Sequence, residues 1–249
     1  MPNTKAITSA ASNILLIGDS GTHKTWFAGT CPKPYVFDFD GGVSILRGKD
    51  IEYDVFRDKP KSVVGALQPP TPTETRAGFF PFAGAWPAFI RKLNDIGTLI
   101  DKGTCPYQTL YLDSLTFLSE IAMNHVVSQQ KEPVIHIGSY GAQQQYIKSV
   151  LGQLTAWPIR VVCTAHIQRD TNDITKTTEK LPLLTGKLAG FISAFFDEVY
   201  FCEPASGPGK FVVKSSSTKE MRQAKSRWGV PDDTELDFAK LLPFYSKVA

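Results

Sequence analysis

The sequence predicts an α/β protein with a mainly parallel central sheet flanked by helices and a C-terminal antiparallel hairpin. Short apolar runs, NILLI at 13–17, TLYL at 109–112 and IRVVCT at 159–164, read as buried strands. Stretches of helical periodicity lie between them, the alternation that builds a parallel sheet covered on both faces. Two late apolar runs, DEVYFC at 197–202 and KFVVK at 210–214, flank PASGPG and read as a hairpin at the sheet edge. The 249 residues suit a single domain, 1–249, carrying an insertion at about 57–85.

Each element follows from its residues. The strand at 13–17 stops at Gly18, and a brief helix over 24–29 is closed by Pro32 and Pro34. A second strand, 35–39, runs into Asp40-Gly41-Gly42, and 51–56 alternates as a third, more exposed strand. Residues 57–85 hold five prolines and the apolar patch Phe79-Phe80-Pro81-Phe82, too long for an ordinary loop. The patch is expected to dock on a neighbouring subunit. Helices are expected over 86–102, where Phe89, Leu93, Ile96 and Ile100 share a face, then over 115–130 and 140–156. The stretch 168–180 is polar and reads as a loop.

Composition excludes more than it selects. Lysine and arginine number 27 against 24 acidic residues, a net charge of +3 that neither requires nor forbids a polyanionic partner. Cys31, Cys105, Cys163 and Cys202 form no C-x-x-C pair and no zinc spacing, so they read as reduced thiols of a cytoplasmic protein. The first residues, MPNTKAITSAAS, lack the apolar core of a signal peptide, and no apolar run reaches the ~20 residues of a membrane helix, so no membrane partner is expected.

The chemistry concentrates in GDSGTHKT, residues 18–25. It matches G-x-x-x-x-G-K-[ST] at Gly18, Lys24 and Thr25 but carries His23 at the second fixed glycine. Such a loop between strand and helix points backbone N–H groups at phosphates, here from Gly18, Asp19, Ser20, Gly21, Thr22, His23, Lys24 and Thr25. Lys24 adds a positive charge, and the Thr25 hydroxyl is a ligand for Mg²⁺. The strand TLYLD ends in Asp113, the second carboxylate-bearing element that such a metal requires. ATP and Mg²⁺ are therefore the expected cofactors. Histidine tolerates a left-handed backbone better than most residues, so the loop is expected to work, with slow turnover.

Taken together, the strand, loop and helix, then YVFDFDGG, TLYLDS and a strand ending at His166, resemble the RecA-like P-loop ATPase core. The chain resembles more closely the small phage nucleotide-binding AAA-domain proteins that include RecA-like single-strand annealing proteins, over roughly 12–245. The resemblance implies that Asp40 polarises the attacking water, where RecA uses a glutamate; Asp38 is the alternative, and Asp40-Gly41-Gly42 also reads as a simple turn. It implies that His166 senses the γ-phosphate, unless it is only a histidine satisfied at a sheet end. It makes 168–180 a DNA-binding loop carrying Arg169, Lys176 and Lys180, although Asp170, Asp173 and Glu179 cancel their charge. A second DNA loop would be 130–141, where His136 and Tyr140 are positioned to stack on bases; Tyr140 reads equally as the cap of a helix starting at Gly141. In KEMRQAKSR, 219–227, Lys225 and Arg227 resemble a basic motif that reaches the γ-phosphate of a neighbouring subunit.

The resemblance thus implies a homo-oligomer, ring or filament, with nucleotide at its interfaces and single-stranded DNA as partner, acting in strand annealing or recombination in a bacterial host cytoplasm. A P-loop ATPase that remodels or loads a replication protein without holding DNA is the competing expectation. A small-molecule kinase is the third, opposed by an insertion that holds only Arg57 and Arg76.

Overall fold

The computed structural model describes residues 12–58, 84–131, 134–171, 176–207 and 209–245. Most of the expected insertion, with the patch at 79–82, lies outside the described residues. Six parallel strands are β1 (Ile14–Ile17), β2 (Pro34–Asp38), β3 (Glu52–Val55), β4 (Thr109–Asp113), β5 (Arg160–Ala165) and β8 (Glu198–Pro204), standing in the order β3-β2-β4-β5-β1-β8. β9 (Phe211–Lys214) pairs antiparallel with β8 through the expected hairpin, and β11 (Thr234–Glu235) pairs antiparallel with β9. β10 (Lys225–Ser226) pairs antiparallel with the start of β8.

Alternation along the strands divides the core into two layers. Leu15 and Ile17 of β1 face one layer; Ile14 and Leu16 face the other. The first layer is covered by α2 (Ala85–Asp101), α3 (Leu115–Ser128) and α4 (Ile137–Ala156). Phe37, Phe39, Phe56 and Phe89 pack there edge-on or tilted at 5.1–5.9 Å, contacts worth about 0.5–1.5 kcal/mol each beyond area burial. The second layer is closed by α1 (Lys24–Ala28), through Phe27, and by a C-terminal helix α5 (Phe238–Tyr245), through Phe238 and Leu241.

Three expectations change. The polar stretch 168–180 is a two-stranded antiparallel hairpin, β6 (Ile167–Thr171) and β7 (Thr178–Pro182), because its threonines and alternating charges suit an exposed ribbon. α4 starts at Ile137 rather than Gly141, since His136 and Ser139 form a capping box, and Tyr140 therefore lies in the first turn instead of capping it. The C-terminal strands β10 and β11 and the short helical segments Gly42–Leu46 and Leu188–Phe195 are too short to show a period, and α5 is amphipathic but interrupted by Pro243; none of them was expected. All four cysteines are free, and three are buried. Among the described residues no helix is long and apolar enough to cross a membrane.

The chain leaves β1 toward β2 on one side and later returns to β8 on the other. That reversal places a crevice at the carboxyl ends of β1, β5, β4 and β2, where open α/β sheets take their ligands.

Candidate nucleotide site

The loop after β1 is built from close approaches. The Gly18 N–H donates to Ala165 O at 3.2 Å. A side chain at Gly18 would meet Thr22 Oγ1 at 2.7 Å and Cys202 O at 3.0 Å, so only glycine fits. Gly21 has φ +81 and His23 has φ 59, so the position usually held by glycine does need the left-handed region. Histidine costs on the order of 1 kcal/mol there. Its ring compensates by packing on Phe211 of β9 at 4.1 Å, a contact between residues far apart in sequence.

Lys24 is buried under this loop, with Nζ 2.8 Å from both Gly18 O and Asp19 O and 3.4 Å from Thr22 Oγ1. Burial depresses the Lys24 ammonium below its ordinary range, while Asp113, Asp40 and Asp19 oppose that shift. Thr25 Oγ1 donates to Asp113 Oδ2 at 2.5 Å, and Thr164 Oγ1 donates to Asp113 Oδ1 at 2.5 Å. Burial, aided by the Asp40 charge, raises the Asp113 carboxyl to about 6 despite these two hydroxyls. Thr164 is the last residue but one of β5, which lies between β1 and β4, and its role depends on strand order, which the local sequence did not reveal.

The second carboxylate cluster is equally ordered. Asp38 is fully buried and accepts from the backbone N–H groups of Gly41 at 2.6 Å, Asp40 at 3.2 Å and Val43 at 3.4 Å. It therefore shapes the turn that carries Asp40. Asp40 Oδ2 faces His166 Nε2 at 3.7 Å, an electrostatic contact too long for a hydrogen bond. Burial pushes the Asp40 carboxyl up, but His166, the Gly42 N–H and Arg57 together hold it below its ordinary value. The Arg57 guanidinium lies over Gly41, in the space where a side chain would begin.

These groups fit a magnesium nucleotide. A side chain at Gly42 would sit 2.9 Å from Asp40 Oδ1, 3.0 Å from Thr25 Oγ1 and 3.4 Å from Asp113 Oδ2, so glycine leaves open the space that these oxygens share. The buried atoms His166 Nε2 and Ser114 Oγ, both at this edge, have no hydrogen-bond partner. Among the described residues no cluster of three His, Cys, Asp or Glu forms a cation cage. Mg²⁺ takes one or two protein ligands and fills its shell with phosphate and water, and Thr25 and Asp113 would supply such a pair. Beside the loop, a cavity of about 580 Å³ runs between Asp19–Thr22, Arg169, Lys180, Pro204 and Phe211, with room for a sugar and base.

Of the other expected basic residues, Arg169 and Lys180 line this cavity, whereas Lys176, Lys225 and Arg227 are not among its lining residues. Arg169 of β6 forms a two-pronged ion pair with Asp19, at 3.0 and 2.5 Å, tying the hairpin to the phosphate loop. Lys180 of β7 pairs with Glu203 at 2.8 Å and lies 3.8 Å from Glu220, while Lys176 is exposed. Lys225 and Arg227 stand beside the start of β8, opposite the end of the sheet that bears Gly18, so they do not reach the nucleotide site of their own chain. Arg227 pairs with Asp197 at 2.6 Å. The buried Glu198 accepts from the N–H groups of Arg227 at 2.7 Å and Trp228 at 3.1 Å and from Ser226 Oγ at 2.6 Å, fixing this basic turn. Glu198, Thr164, Arg57 and Phe211 escaped the sequence reading, because each acts through a partner distant in the chain.

A strand, phosphate loop and helix, joined through Thr25 to a carboxylate at the end of a second strand, define a P-loop ATPase. The chain belongs to the AAA domain family AAA_24, whose model matches residues 10–228. No curated protein matches it. Among solved structures it is similar to the KaiC-like protein PH0186 from the hyperthermophilic archaeon Pyrococcus horikoshii OT3, at 13% identity and a TM-score of 0.42, covering 82% of this chain and 77% of that one.

Proposed function

We propose that the chain is a Mg²⁺-dependent, RecA-like ATPase of phage origin, working in the bacterial cytoplasm, that binds single-stranded DNA and promotes annealing or recombination. The observation that carries the ATPase part is the Thr25–Asp113 contact beneath an ordered phosphate loop. In this reading the loop N–H groups and Lys24 hold the β- and γ-phosphates, Lys24 exchanging its carbonyl partners for phosphate oxygens. Thr25 and Asp113 would hold Mg²⁺, which when bound would neutralise charge on the transferring phosphoryl group. Asp40, kept ionised, orients a water and accepts its proton at a carboxylate oxygen, while His166 beside it reports the γ-phosphate. Lys225 and Arg227 act in the next subunit of a ring or filament, since their place at the far end of the sheet suits a contact between copies.

The DNA part rests on the hairpin bearing Arg169, Lys176 and Lys180, joined to the phosphate loop through Asp19. A second reading, an ATPase that remodels a replication protein without holding DNA, is favoured by the pairing of Arg169 and Lys180 with carboxylates. Anisotropy of a labelled single-stranded oligonucleotide, titrated without nucleotide, with ADP and with a non-hydrolysable ATP analogue in Mg²⁺ at two salt concentrations, separates the readings. Tight, salt-sensitive binding with the analogue alone supports the first. Absence of binding in every state supports the second.

A further inference from the structure

Register brings a further charged group to the hydrolytic edge. β2 and β3 run parallel with Asp38 opposite Val55, and the Phe56 N–H donates to Asp38 O at 2.8 Å, so two residues on Arg57 comes level with Asp40. Its guanidinium lies on Gly41. A side chain there would meet Nη1 at 2.6 Å, and Gly41 has φ +85, which glycine adopts without steric cost. Two adjacent glycines thus clear two adjacent spaces, with their Cα atoms about 3.8 Å apart. Gly41 makes room for the guanidinium, and Gly42 makes room for the oxygens of Asp40, Thr25 and Asp113.

The carboxylates nearest to Arg57 in sequence and register are committed elsewhere. Asp58 accepts from the Ala85 N–H and from Asn124, each at 2.9 Å, and Asp38 accepts from the turn that follows it. Among the described residues Arg57 forms no ion pair, although its charge acts on Asp40. The side chain is exposed and borders a cavity of about 550 Å³, so it has room to turn.

We propose that Arg57 is a catalytic residue of its own chain's nucleotide site: its guanidinium turns from Gly41 onto the γ-phosphate and stabilises the charge that builds there during hydrolysis. This role rests on the reading of the chain as an ATPase, and it adds a cation from the same chain to Lys225 and Arg227 of the neighbouring subunit. In that step the bond from a water oxygen to the γ-phosphorus forms, and the water's proton goes to Asp40. The bond to the bridging oxygen breaks, and ADP leaves with its electron pair. Negative charge spreads over the γ-oxygens, to which a guanidinium offers N–H donors in a fixed fork. A cation beside Asp40 also offsets the repulsion between that carboxylate and the phosphate.

The test combines steady-state ATP hydrolysis by the full chain with calorimetry of Mg²⁺-ADP, alone and with aluminium fluoride as a mimic of the transferring phosphoryl group. Arg57→Ala is expected to lower kcat roughly 10²- to 10³-fold with KM little changed, the loss of one preorganised donor. It should bind ADP like the parent and lose the extra affinity that aluminium fluoride gives the parent. Arg57→Lys keeps the charge without the fork and should recover part of the rate. A mixture of Arg57→Ala and Asp40→Asn chains should regain no activity, because both residues serve the site of one chain. If Arg57→Ala hydrolyses ATP like the parent, or if that mixture regains activity, Arg57 does not act in its own chain's site, while the ATPase reading stands. If the parent neither binds nor hydrolyses ATP, both fall.

Discussion

Replacing Asp113 with asparagine should make the nucleotide-free protein more stable while removing its use of magnesium. Asp113 is 1% exposed, and its carboxyl is raised from an ordinary 3.8 to about 6 by burial first and by Asp40 second. The stability contributed by its proton is fully present below 3.8 and is lost as pH rises through about 6. A shift of about two units corresponds to about 3 kcal/mol of penalty at neutral pH. An asparagine side chain in its place keeps two polar atoms facing Thr25 and Thr164, whose hydroxyls turn to donate or accept. Asp113→Asn is therefore expected to gain about 1–3 kcal/mol near pH 7.5, and most of that gain should disappear near pH 4. Urea unfolding at the two pH values, with and without Mg²⁺ and an ATP analogue, measures it. The parent should gain stability from the magnesium nucleotide and the variant should not. A variant less stable than the parent at pH 7.5, or a difference independent of pH, would refute this account of the buried carboxylate.

Other substitutions probe the remaining parts. Gly42→Ala puts a methyl group 3.0 Å from Thr25 Oγ1 and 2.9 Å from Asp40 Oδ1, so calorimetry should show Mg²⁺-dependent nucleotide binding weakened tenfold or more, roughly 1.4 kcal/mol, with thermal unfolding little changed. His23→Gly relieves a left-handed backbone but loses the Phe211 contact, so its melting temperature should stay close to the parent's, within about 1 kcal/mol of stability, whereas His23→Val should lose more. Lys225→Ala with Arg227→Ala should keep nucleotide binding and lose hydrolysis. Mixing that protein with Asp40→Asn should restore part of the activity, since each oligomer interface then draws its intact halves from different chains; failure of every mixture, with oligomers confirmed, would remove the trans role.

The fold was legible because buried parallel strands are continuous apolar runs: NILLI, TLYLD and RVVCTA declare themselves without any partner. The phosphate loop was legible for a similar reason, since its groups lie within eight consecutive residues. What the sequence hid depends on pairing. Asp38 and Asp40 share a face of one run, and only the folded turn separates them: the N–H groups of Gly41 and Val43 fold back onto Asp38, while Asp40 accepts from Gly42 and faces His166. Thr164 became a partner of Asp113 because β5 inserts between β1 and β4, a strand order no local pattern encodes. The ribbon of β6 and β7 read as a loop because its exposed strands lack an apolar face. The weak amphipathicity of α4 likewise left its start to the capping pair His136 and Ser139.

The most direct test of the central claim is isothermal titration of the full chain with a non-hydrolysable ATP analogue, with Mg²⁺ and with a chelator, in the parent and in Lys24→Ala. The account predicts one site per chain that needs Mg²⁺ and is lost in Lys24→Ala. Binding that is absent in the parent, or indifferent to both the metal and Lys24, would contradict it.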